Sequence, residues 1–208
     1  MSTPALITGE DGHARCWWGA STRDYAEYHD REWGRPVTGD RAIYERLTLE
    51  AFQSGLSWLT ILRKREGFRS AFAGFDPKRV AVFGDADVER LMNDAAIVRN
   101  RMKIDAAIAN ALALCAMQER GESLSDLVWS YRVPEAAGSA PRALGDLPVG
   151  FTPESKKLAA ELKRRGFRFV GPTTVYSTLE ACGIVNDHLA GCWVRDEVES
   201  ERNAIWRE

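Results

Sequence analysis

Along most of the chain, apolar residues recur every three or four positions rather than every second one, so helices are the expected elements. Over 41–53, Ile43, Leu47, Phe52 and their neighbours form an apolar face; Asp40 is placed to cap its start and Gly55 to break its end. Ser57 opens a second predicted helix through Trp58, Leu59, Ile61 and Leu62, which stops before Lys64-Arg65-Glu66-Gly67. Short helices are predicted over 76–83 and 87–93. The longest spans 101–120, where Ile104, Ile108, Ala111, Leu112 and Cys115 share one stripe and Gly121 ends the run. Ser123 starts another through Leu127, Val128 and Trp129, and the Pro-, Gly- and Ala-rich stretch 132–151 predicts a loop. Thr152-Pro153 combines a capping hydroxyl with proline at the first helical position, predicting a helix to Arg165 that Gly166 closes. Gly171-Pro172 introduces the next, 173–181, which Gly183 closes. Only 167–170 alternates, and it is too short for a sheet. The predicted fold class is all-α.

Length and composition narrow this picture. The 208 residues suit one domain, and 45% hydrophobic with 28% charged residues describe an ordinary globular chain. A net charge of −2 does not mark a nucleic-acid binder as a whole, so any such contact must come from local basic patches. No apolar run reaches membrane-spanning length, and the first dozen residues lack a basic segment followed by a long apolar one; a cytoplasmic protein with a loose N-terminus is expected.

Four cysteines and three histidines make a short inventory for metal chemistry. His188 and Cys192 are four apart, which on a helix places them on one face about 5–6 Å apart at Cβ. Cys16 and His29 would complete a Cys2His2 set, the donor chemistry of zinc; the alternative is a buried cysteine beside an unrelated surface histidine. Four protein ligands leave no open position, so such a zinc would be structural. The deaminase pattern of H-x-E with P-C-x-x-C is absent, as is H-E-x-x-H. Cys115 and Cys182 sit in apolar stripes and suit the core.

Aromatic residues crowd the N-terminal region: Trp17, Trp18, Tyr25, Tyr28 and Trp33, with Trp58 at the following helix start. Any one of these rings is more often core; together they would also suit a stacking pocket for a flat base. Glu50 falls on or near an apolar face, so it is either a solvated boundary residue or a pocket carboxylate in need of a partner. Basic clusters occur at Arg63-Lys64-Arg65, at Arg99, Arg101 and Lys103, and at Lys163-Arg164-Arg165. Each is more often a solvated helix end, but the middle one precedes the longest helix, where backbone amides also favour a phosphate.

The segments RCWWGASTRDYAEYHDREWGRPV, LEAFQSGLSWLTILRKREGFRSAF, DVERLMNDAAIVRNRMKIDAAIANA and LKRRGFRFVGPTTVYSTLEACGIVNDH, with the HxxxC that follows, resemble the 3-methyladenine DNA glycosylase I family in order and over most of the chain. The resemblance implies a helix-hairpin-helix fold with the hairpin at 94–103, although DAAIVRNRMK lacks the glycines of the common hairpin. It implies zinc on Cys16, His29, His188 and Cys192, joining the N- and C-terminal segments of a domain over 15–192, with 1–14 loose and 193–208 a tail. It further implies that Glu50 reads the adenine edge, that Tyr28 and Trp58 contact the base, and that Trp18, Tyr25 and Trp33 form the pocket wall. Gln53, Gly55 and Leu56 would approach the gap left in the duplex, and Arg99, Arg101 and Lys103 would meet phosphates. The expected activity is release of 3-methyladenine from alkylated double-stranded DNA by a monomer. With no compelling lysine nucleophile, hydrolysis without strand cleavage is expected. The rival readings are a zinc-stabilised helical module that binds DNA or protein without catalysis, and a glycosylase for another lesion.

Overall fold

In a computed structural model, residues 5–133 and 140–205 are described. Within them lie ten helices and one two-stranded sheet: β1 (Leu6–Thr8), β2 (Ala14–Cys16), α1 (Arg23–Arg31), α2 (Asp40–Gln53), α3 (Trp58–Ala71), α4 (Pro77–Val80), α5 (Asp85–Asn93), α6 (Arg101–Glu119), α7 (Leu124–Trp129), α8 (Pro153–Arg164), α9 (Pro172–Ala181) and α10 (Arg195–Ile205). No helix among the described residues is long and apolar enough to cross a membrane.

Helix α2 is the axis of the main core. It packs against α3, α6, α7 and α9, and Ile43, Tyr44, Leu47, Leu49 and Phe52 are buried around its circumference. A helix apolar on all sides belongs in the interior, so Glu50 is carried inward with its neighbours. A second, smaller cluster gathers Cys16, Leu189, Cys192, Val194 and Val198, and so ties the two ends of the chain together.

Several starts match the capping chemistry. Ser57, Asp76, Asn100, Ser123 and Thr152 each accept a backbone N–H in the first turn of the helix that follows. Asp40 does something different. Gly39 occupies the cap position at φ 86°, and the Asp40 carboxylate instead accepts from Gln118 Nε2 (2.8 Å), Ser123 Oγ (2.8 Å) and Ser125 N (2.9 Å), pinning α2 to the α6–α7 junction. Helix α3 also runs past its expected end, straight through Gly67. A Cβ there would sit 2.6 Å from the Ala96 carbonyl oxygen, so this glycine permits close approach of the α5–α6 connection rather than stopping the helix.

The ends of the chain depart most from the sequence reading. The stretch expected to be loose contains β1, which pairs antiparallel with β2 in the register Leu6↔Cys16, so a small sheet joins an otherwise helical fold. The expected tail forms α10, which buries Arg195, Val198 and Arg202, and Trp193 N donates to Ala14 O at 2.9 Å to bring it to the sheet. Helix α1 was also unforeseen: its sequence is mostly polar, and only Tyr28 and His29 are buried on it. Within 132–151, the described part holds one 3-10 turn at Leu144–Asp146, and 134–139 lie outside the described residues.

Candidate functional site

Four helices enclose a cavity of about 260 Å3 that opens to solvent. Helix α1 supplies Tyr25 and Tyr28, α2 supplies Glu50 and Gln53, α3 begins with Trp58, and α9 supplies Ser177 and Glu180; Trp18 and Trp33 flank α1. The volume falls just below the roughly 300–1,000 Å3 of drug-sized ligand pockets, which suits one flat ring system. The rings brace one another: Trp18 meets Trp33 edge-on at 4.9 Å and Tyr25 at 5.6 Å, and Tyr28 lies 5.3 Å from Trp58. Tyr25 also accepts from Leu59 N at 3.0 Å, which satisfies an amide in the first turn of α3 and fixes α1 to it. The five aromatic residues expected to contact a base or to wall its pocket, Trp18, Tyr25, Tyr28, Trp33 and Trp58, line this one cavity together with Glu50, whereas Trp17 is exposed.

The polar groups here are short of partners. Glu50 is 6% exposed and accepts no hydrogen bond among the described residues. Burial pushes its pKa up to about 8, against the opposing pull of Arg46 one turn earlier on α2. Arg46 itself donates to Glu32 at 3.1 Å, and Arg65 closes on the same carboxylate at 2.9 Å. Burial, with the Glu50 carboxylate second, holds the Tyr28 phenol well above its usual value. The Trp58 indole N–H is buried without an acceptor. A desolvated acceptor inside aromatic walls is an arrangement that an incoming donor, preferably a cationic one, completes.

A separate cluster lies beneath the pocket wall. One donor atom from each of Cys16, His29, His188 and Cys192 falls within 4.8 Å of the others, and all four residues are buried. Cys192 Sγ is 3.5 Å from His29 Nε2 and 3.5 Å from His188 Nδ1, and Cys16 Sγ is 3.9 Å from His188 Nδ1. A tetrahedral zinc with ordinary bond lengths would hold sulfur and nitrogen donors about 3.5 Å apart, so the set fits that ion. The outer contacts orient it further. His29 Nδ1 lies 2.8 Å from Asp30 Oδ1 and His188 Nε2 lies 3.1 Å from Trp33 O, leaving one nitrogen of each ring for the metal. Burial raises the Asp30 pKa, but donors from Arg15, His29 and Trp193 outweigh it and keep the carboxyl below its usual value. The spacing of His188 and Cys192 works for a different reason than a helical one. They lie in an irregular connection between α9 and α10, where Cys192 N donates to Leu189 O and Gly191 takes φ 89°.

The expected nucleic-acid contacts divide. Gln53, Gly55 and Leu56 form a tight turn after α2: Gln53 Nε2 donates to Leu56 O at 2.8 Å, Gly55 has φ 80°, and Leu56 is 40% exposed. Arg99 is exposed in the α5–α6 connection, and Arg101 is exposed while paired with Asp105 at 3.0 Å. Lys103 is not available to a phosphate. It is 7% exposed, and its Nζ donates to Phe52 O (2.8 Å) and Ser54 O (2.6 Å), because the last carbonyls of α2 lack helical partners and draw the ammonium inward. Burial lowers its pKa. The other basic clusters are spent on structure: Arg63 pairs with Asp24, Arg65 with Glu32, Arg164 with Glu161, and Lys64 Nζ donates to Ala95 O.

Ser177, Glu180, Arg46 and Asp30 went unnoticed in the sequence. Ser177 and Glu180 carried the one usable signal, two polar residues spaced i, i+3 within the apolar run of α9.

The fold and pocket define a helical protein whose aromatic cavity is shaped for one flat ring beside a buried carboxyl. A model of the methyladenine glycosylase family matches residues 17–196. DNA-3-methyladenine glycosylase 1 of Escherichia coli K12 is 46% identical over 178 residues, covering 86% of this chain and 95% of that protein. The DNA-3-methyladenine glycosylase of Haemophilus influenzae is 40% identical, covering 86% of this chain and 96% of its own length. A crystal structure of 3-methyladenine DNA glycosylase I superposes with a TM-score of 0.82 at 47% identity, over 86% of this chain and 98% of that one. The Staphylococcus aureus 3-methyladenine DNA glycosylase I, solved to explain its recognition of 3-methyladenine, matches with a TM-score of 0.79 at 35% identity, over 85% and 94% of the two chains. The chain belongs to the methyladenine glycosylase family.

Proposed function

We propose that this protein is a monofunctional DNA glycosylase that hydrolyses the N-glycosidic bond of 3-methyladenine in alkylated double-stranded DNA. The observation that carries the reading is Glu50, a buried carboxyl without a hydrogen-bond donor, on the wall of an aromatic cavity sized for one base. Adenine methylated at N3 is cationic while joined to the sugar and leaves as a neutral base. Its bond is therefore already weakened, and the protein has to extrude, select and hold the base. Aromatic faces attract a desolvated cation by about 2 kcal/mol. Glu50 ionises against that charge and accepts from the exocyclic amine, while Tyr28 and Trp58 contact the ring. Water then attacks a sugar carrying oxocarbenium character. Among the described residues no lysine lines the cavity, and Lys103 is held by two carbonyls, which supports hydrolysis without strand cleavage.

The DNA side of this reading is a helix-hairpin-helix made of α5, the connection 94–100 and α6. Arg99 and the first amides of α6 face phosphate there, and the Gln53–Leu56 turn enters the duplex where the base has left. Cys16, His29, His188 and Cys192 would hold one zinc. Bound there, it supplies a structural crosslink and no reactive water. The protein acts as a cytoplasmic monomer on chromosomal DNA.

The deciding experiment incubates the protein with methylated duplex DNA and identifies released bases by chromatography. Free 3-methyladenine with an unbroken strand is the expected result. Release of 7-methylguanine alone, or DNA binding with no base released, would overturn the reading; the second outcome belongs to a binding module without catalysis.

A further inference from the structure

The cavity holds a second carboxyl that the mechanism above leaves unused. Glu180 lines it from α9, one turn beyond Ser177 and on a different helix from Glu50. Its backbone is fixed, since its carbonyl accepts from Gly34 N and from Gly183 N, each at 3.2 Å. Its side chain is fixed as well. The Glu180 carboxyl hydrogen-bonds to Asp187, and Asp187 also takes the hydroxyl of Tyr176. Arg195 and Arg202 bring positive charge to the Asp187 side of the pair, while Glu50 faces Glu180 on the cavity side. The Glu180 carboxyl is thereby set between Asp187 on one side and the cavity, with Glu50, on the other. A cavity-lining side chain with its backbone fixed and its carboxyl set beside a second buried acid is organised before any ligand arrives.

We propose that Glu180 is a specificity-determining residue of the base pocket, presenting a second hydrogen-bond acceptor that reads an edge of the methylated purine not taken by Glu50. The inference rests on the glycosylase reading. It assigns the two carboxyls different tasks. Glu50, without a donor and beside Arg46, meets the positive charge that the bound base already carries; Glu180, set beside Asp187, checks the shape and donor pattern of the ring. A site built to satisfy a particular donor rejects analogues that lack it, because the acceptor is then left desolvated and unpaired.

The test is a fluorescence titration of the full-length protein with free 3-methyladenine and with adenine, following the pocket tryptophans. Glu180→Gln keeps a group that can bond to Asp187 and an acceptor for the cavity; Glu180→Met keeps the length and removes both. The expected result is an affinity for 3-methyladenine within about twofold of wild type for Gln and about tenfold weaker for Met, the loss of one buried hydrogen bond. Circular dichroism must give both variants a native melting curve. If the Met variant does not fold, Glu180→Ala, which admits water into the vacated space, takes its place with the same expected loss. Unchanged affinity in the folded Met or Ala variant overturns the proposal, and so does an equal loss in Gln and Met, which would mean that charge and not an acceptor is read. Failure of the wild type itself to bind 3-methyladenine sinks the glycosylase reading first, so the two failures are told apart.

Discussion

The pocket and the cysteine–histidine cluster are neighbours on either side of Trp18 and Trp33, which line the pocket and pack on His29 of the cluster, yet they treat polar groups in opposite ways. In the cluster every donor atom has a counterpart. The sulfurs and ring nitrogens converge, and the outer nitrogens are taken by Asp30 and by the Trp33 carbonyl. In the pocket Glu50 accepts nothing, and the indole N–H of Trp58 donates to nothing. The first arrangement is a closed one that holds the fold. The second keeps unsatisfied polarity for a visitor, at a cost to the empty protein. Removing a group from each should therefore have opposite effects on stability.

The largest effect is expected at the cluster. A zinc held by these four residues would join β2 and α1 to the segment ahead of α10, so its loss would free both ends of the chain together. Cys192→Ser, or a strong chelator, should remove one equivalent of zinc by elemental analysis. A lost crosslink of this kind costs about 2–5 kcal/mol, which for a chain of this size lowers the melting temperature by roughly 10 °C. Base excision at a temperature where the variant stays folded should fall far less. A melting temperature unmoved by metal removal would mean that the four donors are packed for some other reason.

At the pocket the sign reverses. The Glu50 pKa, near 8 in the folded protein, lies above the 4.5 of an unhindered glutamate. Between those values the folded state keeps a proton that the unfolded state gives up, so stability falls as the pH rises through that window. Glu50→Gln stays neutral at every pH. It should melt higher than wild type at pH 8, with a smaller difference at pH 5, while base release drops by a factor on the order of a hundred to a thousand, as when one preorganised charge-stabilising contact is lost. The kcat/KM of the wild type should rise with pH toward about 8 as Glu50 ionises, and the variant should lack that rise. Equal melting curves at pH 8, or an active variant, would remove Glu50 from the role assigned to it.

How far the sequence spoke follows the same division. Long helices and several of their caps were legible because period and cap chemistry are local, as at Ser57 for α3 and Thr152 for α8. The donor set was legible as residue types, and the pocket rings as a cluster along the chain. What stayed hidden depends on distant partners. Strand β1 exists only because β2 pairs with it, and α1 and α10 are mostly polar segments that bury His29, Arg195 and Arg202 beside few apolar residues. Asp40 sits where a cap belongs, yet it serves α6 and α7. Gly67 reads as a stop until Ala96 comes against it.

Lys103 is the sharpest case, and it supplies the smallest expected effect. Next to Arg99 and Arg101 in the chain it looks like a third phosphate contact, but its ammonium closes the end of α2 through Phe52 O and Ser54 O, immediately before Gly55 and Leu56. Arg99 and Lys103 can be separated by the salt dependence of DNA binding. Each phosphate neutralised contributes nearly one unit to the slope of log affinity against log salt. Arg99→Ala should flatten that slope by about one unit with no change in melting temperature. Lys103→Met should leave the slope alone. It should instead loosen the Gln53–Leu56 turn, seen as faster hydrogen exchange at the amides of Gly55 and Leu56, with a severalfold loss of affinity that salt does not alter. If the slope falls in the lysine variant as well, the ammonium leaves its two carbonyls when DNA binds, and the turn is not held in the way its hydrogen bonds indicate.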